Sequence, residues 1–202
     1  MEGEPLQVVL ASRNSGKIKE FQKMLANLNI EILAQSDCSV SAIEETGLSF
    51  VENAILKARH AAQLTGLPAI ADDSGLEVDA LEGQPGIYSA RYAGDKASDI
   101  ENNKKLIKEM KSVASEDRTA RFQCLLVFLR HSADAVPIIC QGSWEGLVLD
   151  EIRGKGGFGY DPLFFVPSEN CTSAELSPEK KNLLSHRAKA MEELVRRLRI
   201  FC

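Results

Sequence analysis

Apolar residues along the chain fall into two repeating patterns, short runs and helical stripes. The run Gln7–Ala11 ends at Ser12 and predicts a first strand. Ile18, Phe21, Leu25 and Leu28 then follow helical spacing, which predicts a helix from about Gly16 to Asn27. Ile30–Ala34 reads as a second strand. Ser49 with Glu52 three residues on is a capping-box pattern. It opens a helix whose packing face is Val51, Ile55, Ala58 and Ala62, and Gly66 with Pro68 stops it. Pro68–Ala71 and Leu76–Leu81 read as two strands, with Asp-Ser-Gly as the turn between them.

Farther along, Ser98 and Glu101 repeat the capping pattern before a helix carrying Ile100, Leu106, Ile107 and Met110. Thr119–Arg130 is apolar almost throughout, which suits a strand buried on both faces. Ala133–Pro137 reads as a turn, and Ile138–Asp150 as the returning strand. Gly154–Gly159 is a glycine-rich loop ahead of a short strand, Leu163–Val166. Pro178–Arg199 is helical, in two pieces broken near Ser185. Strands and helices alternate early and a long hairpin comes late, so the fold class is mixed α/β. No internal repeat or linker marks a boundary, and residues 1–202 read as a single domain.

Composition narrows the function classes. A net charge of −5 and a pI near 5.4 argue against a nucleic-acid partner but allow a small phosphorylated ligand in a local basic pocket. Five scattered cysteines, without a C-x-x-C pair, suit a reduced, cytoplasmic protein better than a zinc site or a disulfide framework. The acidic start and the shortness of the longest apolar run, Cys124–Leu129, point away from a signal peptide and a membrane span.

Four segments carry candidate chemistry, each with a plainer alternative. Ala11–Lys17, ASRNSGK, joins a strand to a helix, where backbone N–H groups and the helix dipole can hold an anion. It lacks the first glycine and the final hydroxyl of a Walker motif, and Ser and Asn are also ordinary capping residues. Glu44–Gly47, EETG, is either a solvated acidic loop or part of a carboxylate cluster with Asp72 and Asp73. Such a cluster is costly unless a divalent cation sits in it. Gly156–Pro162, GGFGYDP, can present Phe158 as a stacking platform or turn it into the core. Beside Phe158, Asp161 could accept hydrogen bonds from the N–H groups of a flat base. Ser185–Ala190, SHRAKA, places His186 and Arg187 at a helix N-terminus, where positive charge is unfavourable unless an anion or a purine carbonyl is met. His60, His131 and Trp144 read as structural.

The ordered set S-x-N-x-x-K, E-E-T-G, A-D-D-S-G-L, G-I-Y-S-A-R-Y, G-G-F-G-Y-D-P and S-H-R resembles the inosine triphosphate pyrophosphatase family from Val8 to about Leu198. The resemblance implies a mixed central sheet with flanking helices, two lobes forming a nucleotide-binding cleft, and a homodimer. It implies Mg²⁺-dependent hydrolysis of ITP, dITP and XTP to the monophosphate and pyrophosphate. Family roles map onto Asp73 as proton acceptor and onto Glu44 with Asp73 as Mg²⁺ ligands. Substrate contacts map onto Ser12, Arg13, Asn14, Ser15, Gly16, Lys17, Ser74, Phe158, Gly159, Tyr160, Asp161, Lys181, His186 and Arg187.

In that scheme Asp73 activates water, Lys17 and the first loop hold the polyphosphate, and Phe158 stacks on the purine. Asp161, His186 and Arg187 surround the edge of the base. A donor near Arg187 aimed at the C6 carbonyl would reject adenine, and backbone crowding near C2 would reject guanine. A pyrophosphatase for modified pyrimidine nucleotides and a non-catalytic nucleotide sensor are the competing readings. A glycosidase is remote, because the chain lacks rows of aromatics for a sugar groove.

Overall fold

The computed structural model describes residues 4–12, 14–26 and 28–200. Seven strands are hydrogen-bonded in the order β2-β1-β3-β4-β5-β6-β7: β1 Leu6–Leu10, β2 Ile30–Ala34, β3 Ala69–Val78, β4 Thr119–Leu129, β5 Ile138–Val148, β6 Phe164–Val166 and β7 Cys171–Thr172. Five α-helices join them: α1 Ser15–Leu25, α2 Phe50–Thr65, α3 Asp99–Glu109, α4 Pro178–Leu184 and α5 His186–Leu198. β1 pairs in parallel with both β2 and β3, while β6 pairs antiparallel with β5 and β7. The sheet is therefore mixed, as expected. Among the described residues, no helix is long and apolar enough to cross a membrane.

The chain divides into two compact units, one for each of the two lobes expected. The first comprises the chain up to Asp73, Cys124–Gln141 and the stretch from Lys189 onward. Its strands are covered on both faces. Val8 and Leu10 pack with Phe21 and Leu25 of α1 and with Met191 and Leu194 of α5. Val9 and Ala11 face Ala54, Ala58, Ala61 and Ala62 of α2. The small residues along α2 bring that helix close to the sheet, which matters for the side chains it carries.

The second unit comprises Ser74–Gln123 and Gly142–Ala188. Its core joins Leu76, Leu106, Met110, Phe122, Trp144 and Phe164. Trp144 is buried against Phe164, in keeping with a packing role.

Most expected helix ends hold. Ser98 and Glu101 form the complete reciprocal capping box of α3. At α2, Ser49 caps the Glu52 N–H, and the Glu52 carboxylate takes the Ser49 hydroxyl and the Leu48 N–H at 2.7 and 2.9 Å. Gly66, at φ 71°, closes the helix with a left-handed turn. Ser185 separates α4 from α5.

Two expectations need correction. The Asp-Ser-Gly stretch is not a turn, because β3 runs unbroken from Ala69 to Val78. The chain reverses farther on, where Gly83, at φ 86°, gives its N–H to the Val78 carbonyl and Glu77 bridges Pro85. Residues 76–78 therefore complete β3, and Asp79–Leu81 form a 3-10 turn. β4 is buried on both faces only from Cys124 to Leu129. Its first half alternates, with Thr119, Arg121 and Gln123 on the more exposed side.

Candidate active site

Because β3 is continuous, its period of two sends Asp72 and Asp73 to opposite faces. Asp72 shares a face with Ile70, on the α1 side. Its Oδ1 accepts a hydrogen bond from the Lys17 ammonium, and the Cys124 thiol lies 3.4 Å from its Oδ2. Asp73 shares a face with Ala69 and Ala71, on the α2 side. The Lys57 ammonium donates to it at 2.7 Å and to Glu45 at 2.9 Å. Each aspartate thus has its own lysine, drawn from a different helix.

Burial pushes the Asp73 carboxyl above the usual carboxylate range. Lys57 offsets this only in part, and the charges of Glu45 and Asp72 push the same way. For Lys57, burial alone would lower the pKa. The Asp73 and Glu45 carboxylates outweigh it, and the ammonium is held above its ordinary value. An aspartate that is both desolvated and oriented by a cation suits proton acceptance.

The acidic loop lies along α2 and is fastened at several points. Leu48 N–H bonds Glu52, Gly47 N–H bonds Asn53 Oδ1 at 2.8 Å, and Glu45 pairs with Lys57. His60 Nε2 sits 3.2 Å from the Ser41 hydroxyl and 3.1 Å from its carbonyl. Gly47 has no room for a side chain, since a Cβ there would stand 2.6 Å from the Glu52 Cβ. Ser41, Glu45, Lys57 and His60 line an open pocket of about 270 Å³ together with Ser12, Asn14 and Asp72. The contacts of His60 with Ser41 fit the structural role expected of it.

The β1–α1 segment does what a cap does. Asn14 Oδ1 accepts the N–H groups of Gly16 and Lys17 at 2.9 and 3.2 Å, and the Ser12 hydroxyl accepts the Asn14 N–H at 3.2 Å. Ser15 begins the helix, and Arg13 lies outside the described residues. Glu44 is exposed, whereas Glu45 is the acid tied to Asp73 through Lys57. Among the described residues, no group of three or more acidic, histidine or cysteine side chains is gathered closely enough to hold a metal. The expected convergence of three or four carboxylates is replaced by lysine pairing. The carboxylate oxygens of Glu44 and Asp73 are nevertheless the hard donors that Mg²⁺ takes.

In the second unit, Phe158 is 47% exposed, so the ring is not a core residue. Lys181 Nζ lies 5.2 Å and the Arg187 guanidinium carbon 5.9 Å from the ring centre. Buried Asp161 closes the loop on itself. It accepts the Phe158 N–H at 2.8 Å, the Ser173 hydroxyl at 2.7 Å and the Lys181 ammonium. Gly157, at φ 73°, is required there, since a Cβ would fall 2.0 Å from Asp161 Oδ2. Gly159 is held by α3 through Asp99 and Asn103.

The remaining predicted contacts gather in the same unit. Buried Tyr160 donates its hydroxyl to the Ser89 carbonyl at 2.8 Å, and burial raises its pKa. His186 stacks on Phe122 at 4.9 Å and 14°. Arg187 is buried and donates to the Ser74 hydroxyl at 3.2 Å. Sequence reasoning missed Lys57. The signal for Lys57 was present, because Asn53, Lys57 and His60 form a polar stripe at i, i+4 and i+7 along the helix.

With this geometry in hand, the relatives are informative. The sequence model of the Ham1 family matches residues 8–197. A dITP/XTP pyrophosphatase from Vibrio parahaemolyticus is 59% identical over 192 residues, covering 95% of this chain and 96% of its own. One from Escherichia coli K12 is 56% identical over 193 residues, covering 96% and 98%. Among solved structures, a HAM1 protein from Coxiella burnetii superposes with a TM-score of 0.93 at 50% identity, covering 96% and 99%. The Ham1 protein of Staphylococcus aureus gives 0.87 at 40%, covering 97% and 100%.

Proposed function

Because the chain belongs to the Ham1 family, we propose that it hydrolyses deaminated purine nucleoside triphosphates, ITP, dITP and XTP, to the monophosphate and pyrophosphate. The observation that carries this reading is the Asp73–Lys57 pair of the first unit, to which the second unit adds its own exposed aromatic loop. Asp73 is desolvated and oriented by Lys57, and the next residue is bonded to Arg187, whose guanidinium faces the exposed Phe158 ring.

In the proposed reaction, water attacks the α-phosphorus and gives its proton to the Asp73 carboxylate. A phosphorus–oxygen bond forms to the water oxygen, the bond bridging the α- and β-phosphates breaks, and pyrophosphate leaves with that electron pair. Lys17 and the residue 12–17 segment hold the polyphosphate, with Asp72 keeping Lys17 in place. Phe158 stacks on the base, while Lys181, His186 and Arg187 surround it. Asp161 serves by shaping the loop, because its carboxylate is already engaged there.

Glu44 and Asp73 would hold Mg²⁺, which supplies charge to the phosphate oxygens. Four described cysteines are free, which supports a reducing, cytoplasmic setting. A homodimer of one such domain per chain completes the proposal, and sedimentation of the full chain tests it.

The decisive experiment measures pyrophosphate and orthophosphate released from ITP, dITP, XTP, GTP, ATP and dUTP. Pyrophosphate from the deaminated purines is expected, and Asp73→Asn should lower kcat by about 10²–10⁴. Orthophosphate as the sole product would mean a different bond is cleaved. Arg187→Ala should erode the preference for ITP over ATP; an unchanged preference would remove Arg187 from the selectivity scheme.

A further inference from the structure

We propose that Asp99 and Asn103, one turn apart on α3, are positioning residues that set the grip of the Phe158 platform on a purine base. Neither is among the substrate contacts assigned above. This inference rests on the reading of Phe158 as that platform.

A half-exposed side chain is not fixed by core packing, so its direction depends on how well its own backbone is held. Both peptide groups flanking Phe158 are pinned. The N–H on its near side bonds Asp161 at 2.8 Å. The N–H on its far side, which belongs to Gly159, bonds Asp99 Oδ2 at 2.7 Å. Asn103 Nδ2 then holds the next carbonyl, that of Gly159, at 2.8 Å. Gly159 itself sits at φ 60°, a left-handed turn that leaves the ring standing out from the loop. The Asp161 bond belongs to the loop, and the two from α3 tie the loop to a helix.

Asn103 shows that this tie carries a cost. The residue is 3% exposed, and its Oδ1 is a buried atom without a hydrogen-bond partner among the described residues. A leucine there would avoid that desolvation and pack with Leu106 and Met110 on the same unit's core. What leucine cannot supply is the bond to the Gly159 carbonyl. The Asp99 carboxylate is exposed, so its bond to Gly159 adds little to overall stability. An exposed bond that adds little to stability and a buried amide left half-satisfied, both restraining one exposed ring, fit a positioning role.

The test compares KM and kcat for ITP and GTP, and inhibition by pyrophosphate, in Asp99→Ala, Asp99→Asn, Asn103→Ala and Phe158→Ala. Asp99→Ala and Asn103→Ala should each raise KM for ITP about fivefold and narrow the ITP-over-GTP preference, with kcat little changed. Inhibition by pyrophosphate, which carries no base, should stay the same. Asp99→Asn should recover most of the loss, because its amide oxygen still accepts the Gly159 N–H. Asp99 is exposed, so its variants remain informative even where Asn103→Ala fails to fold.

If KM and pyrophosphate inhibition weaken together, the two residues only support the fold and the proposal falls. If KM stays put in the α3 variants while Phe158→Ala raises it, the clamp is wrong and the platform stands. If Phe158→Ala also leaves KM unchanged, the platform reading fails and the clamp fails with it.

Discussion

Two loops of this protein are each held by a neighbouring helix, and they are held in opposite ways. The acidic loop of the first unit lies against α2 and is fastened by side chains of Glu52, Asn53, Lys57 and His60. The aromatic loop of the second unit closes mainly on its own Asp161 and, among the described residues, takes two side-chain bonds from α3. The difference follows from what each loop presents. Carboxylates brought together out of water repel one another unless cations and donors are fixed around them. The Phe158 ring, the proposed platform for a flat base, stays exposed, and its loop needs backbone shape more than charge balance.

The largest expected effect breaks the acidic side of this comparison. Lys57→Met would leave Glu45 and Asp73 facing each other without their shared ammonium, in a setting where both Lys57 and Asp73 are mostly buried. A stability loss of about 3–5 kcal/mol is expected from denaturant unfolding. A loss below about 1 kcal/mol would mean that the pair behaves as a surface ion pair.

Next come the two glycines. Gly47→Ala and Gly157→Ala both force a Cβ into occupied space, at 2.6 Å from Glu52 Cβ and 2.0 Å from Asp161 Oδ2. Each should cost about 1–3 kcal/mol. Kinetics should separate them: the first lowers kcat, the second raises KM. The same kinetic signature from both would erase the division of labour between the loops.

Phe158→Ala should raise KM by about tenfold to a hundredfold, the range expected for lost base stacking. The melting temperature should hardly change, since the ring is half exposed. The smallest effect belongs to a network outside both loops. Arg121 pairs with Asp79 at 2.7 Å and Glu145 at 3.0 Å on an exposed strand face. Arg121→Ala should cost less than about 1 kcal/mol and leave kcat and KM as they were.

Much of the fold was legible because its signals are local. Ser49 and Ser98 begin their helices, Gly66 and Ser185 end or break theirs, and Ile30–Ala34 is a strand with the bounds its apolar run predicts. The error at Asp72–Gly75 had a different origin. Asp, Ser and Gly are turn formers in isolation. The strand persists because Asp72 and Asp73 find lysines 55 and 16 residues away, and no local pattern reports that. The true reversal was also written locally, in Glu82-Gly83-Gln84-Pro85, but the earlier and stronger turn signal masked it.

The sequence by itself determined most of the strands and helices, though it split β3 in two and left out β7, together with the motif set and the residue types available for phosphate and base. It also determined that neighbouring aspartates on an extended backbone must point apart, since that period is a property of the chain. Only the tertiary structure decided that β3 is extended there at all. It also decided that α1 brings Lys17 to one face and α2 brings Lys57 to the other. Those choices depend on how close two helices can pack to a sheet, which in α2 is allowed by a row of alanines. Packing distance is set by the assembled layers and by no single segment.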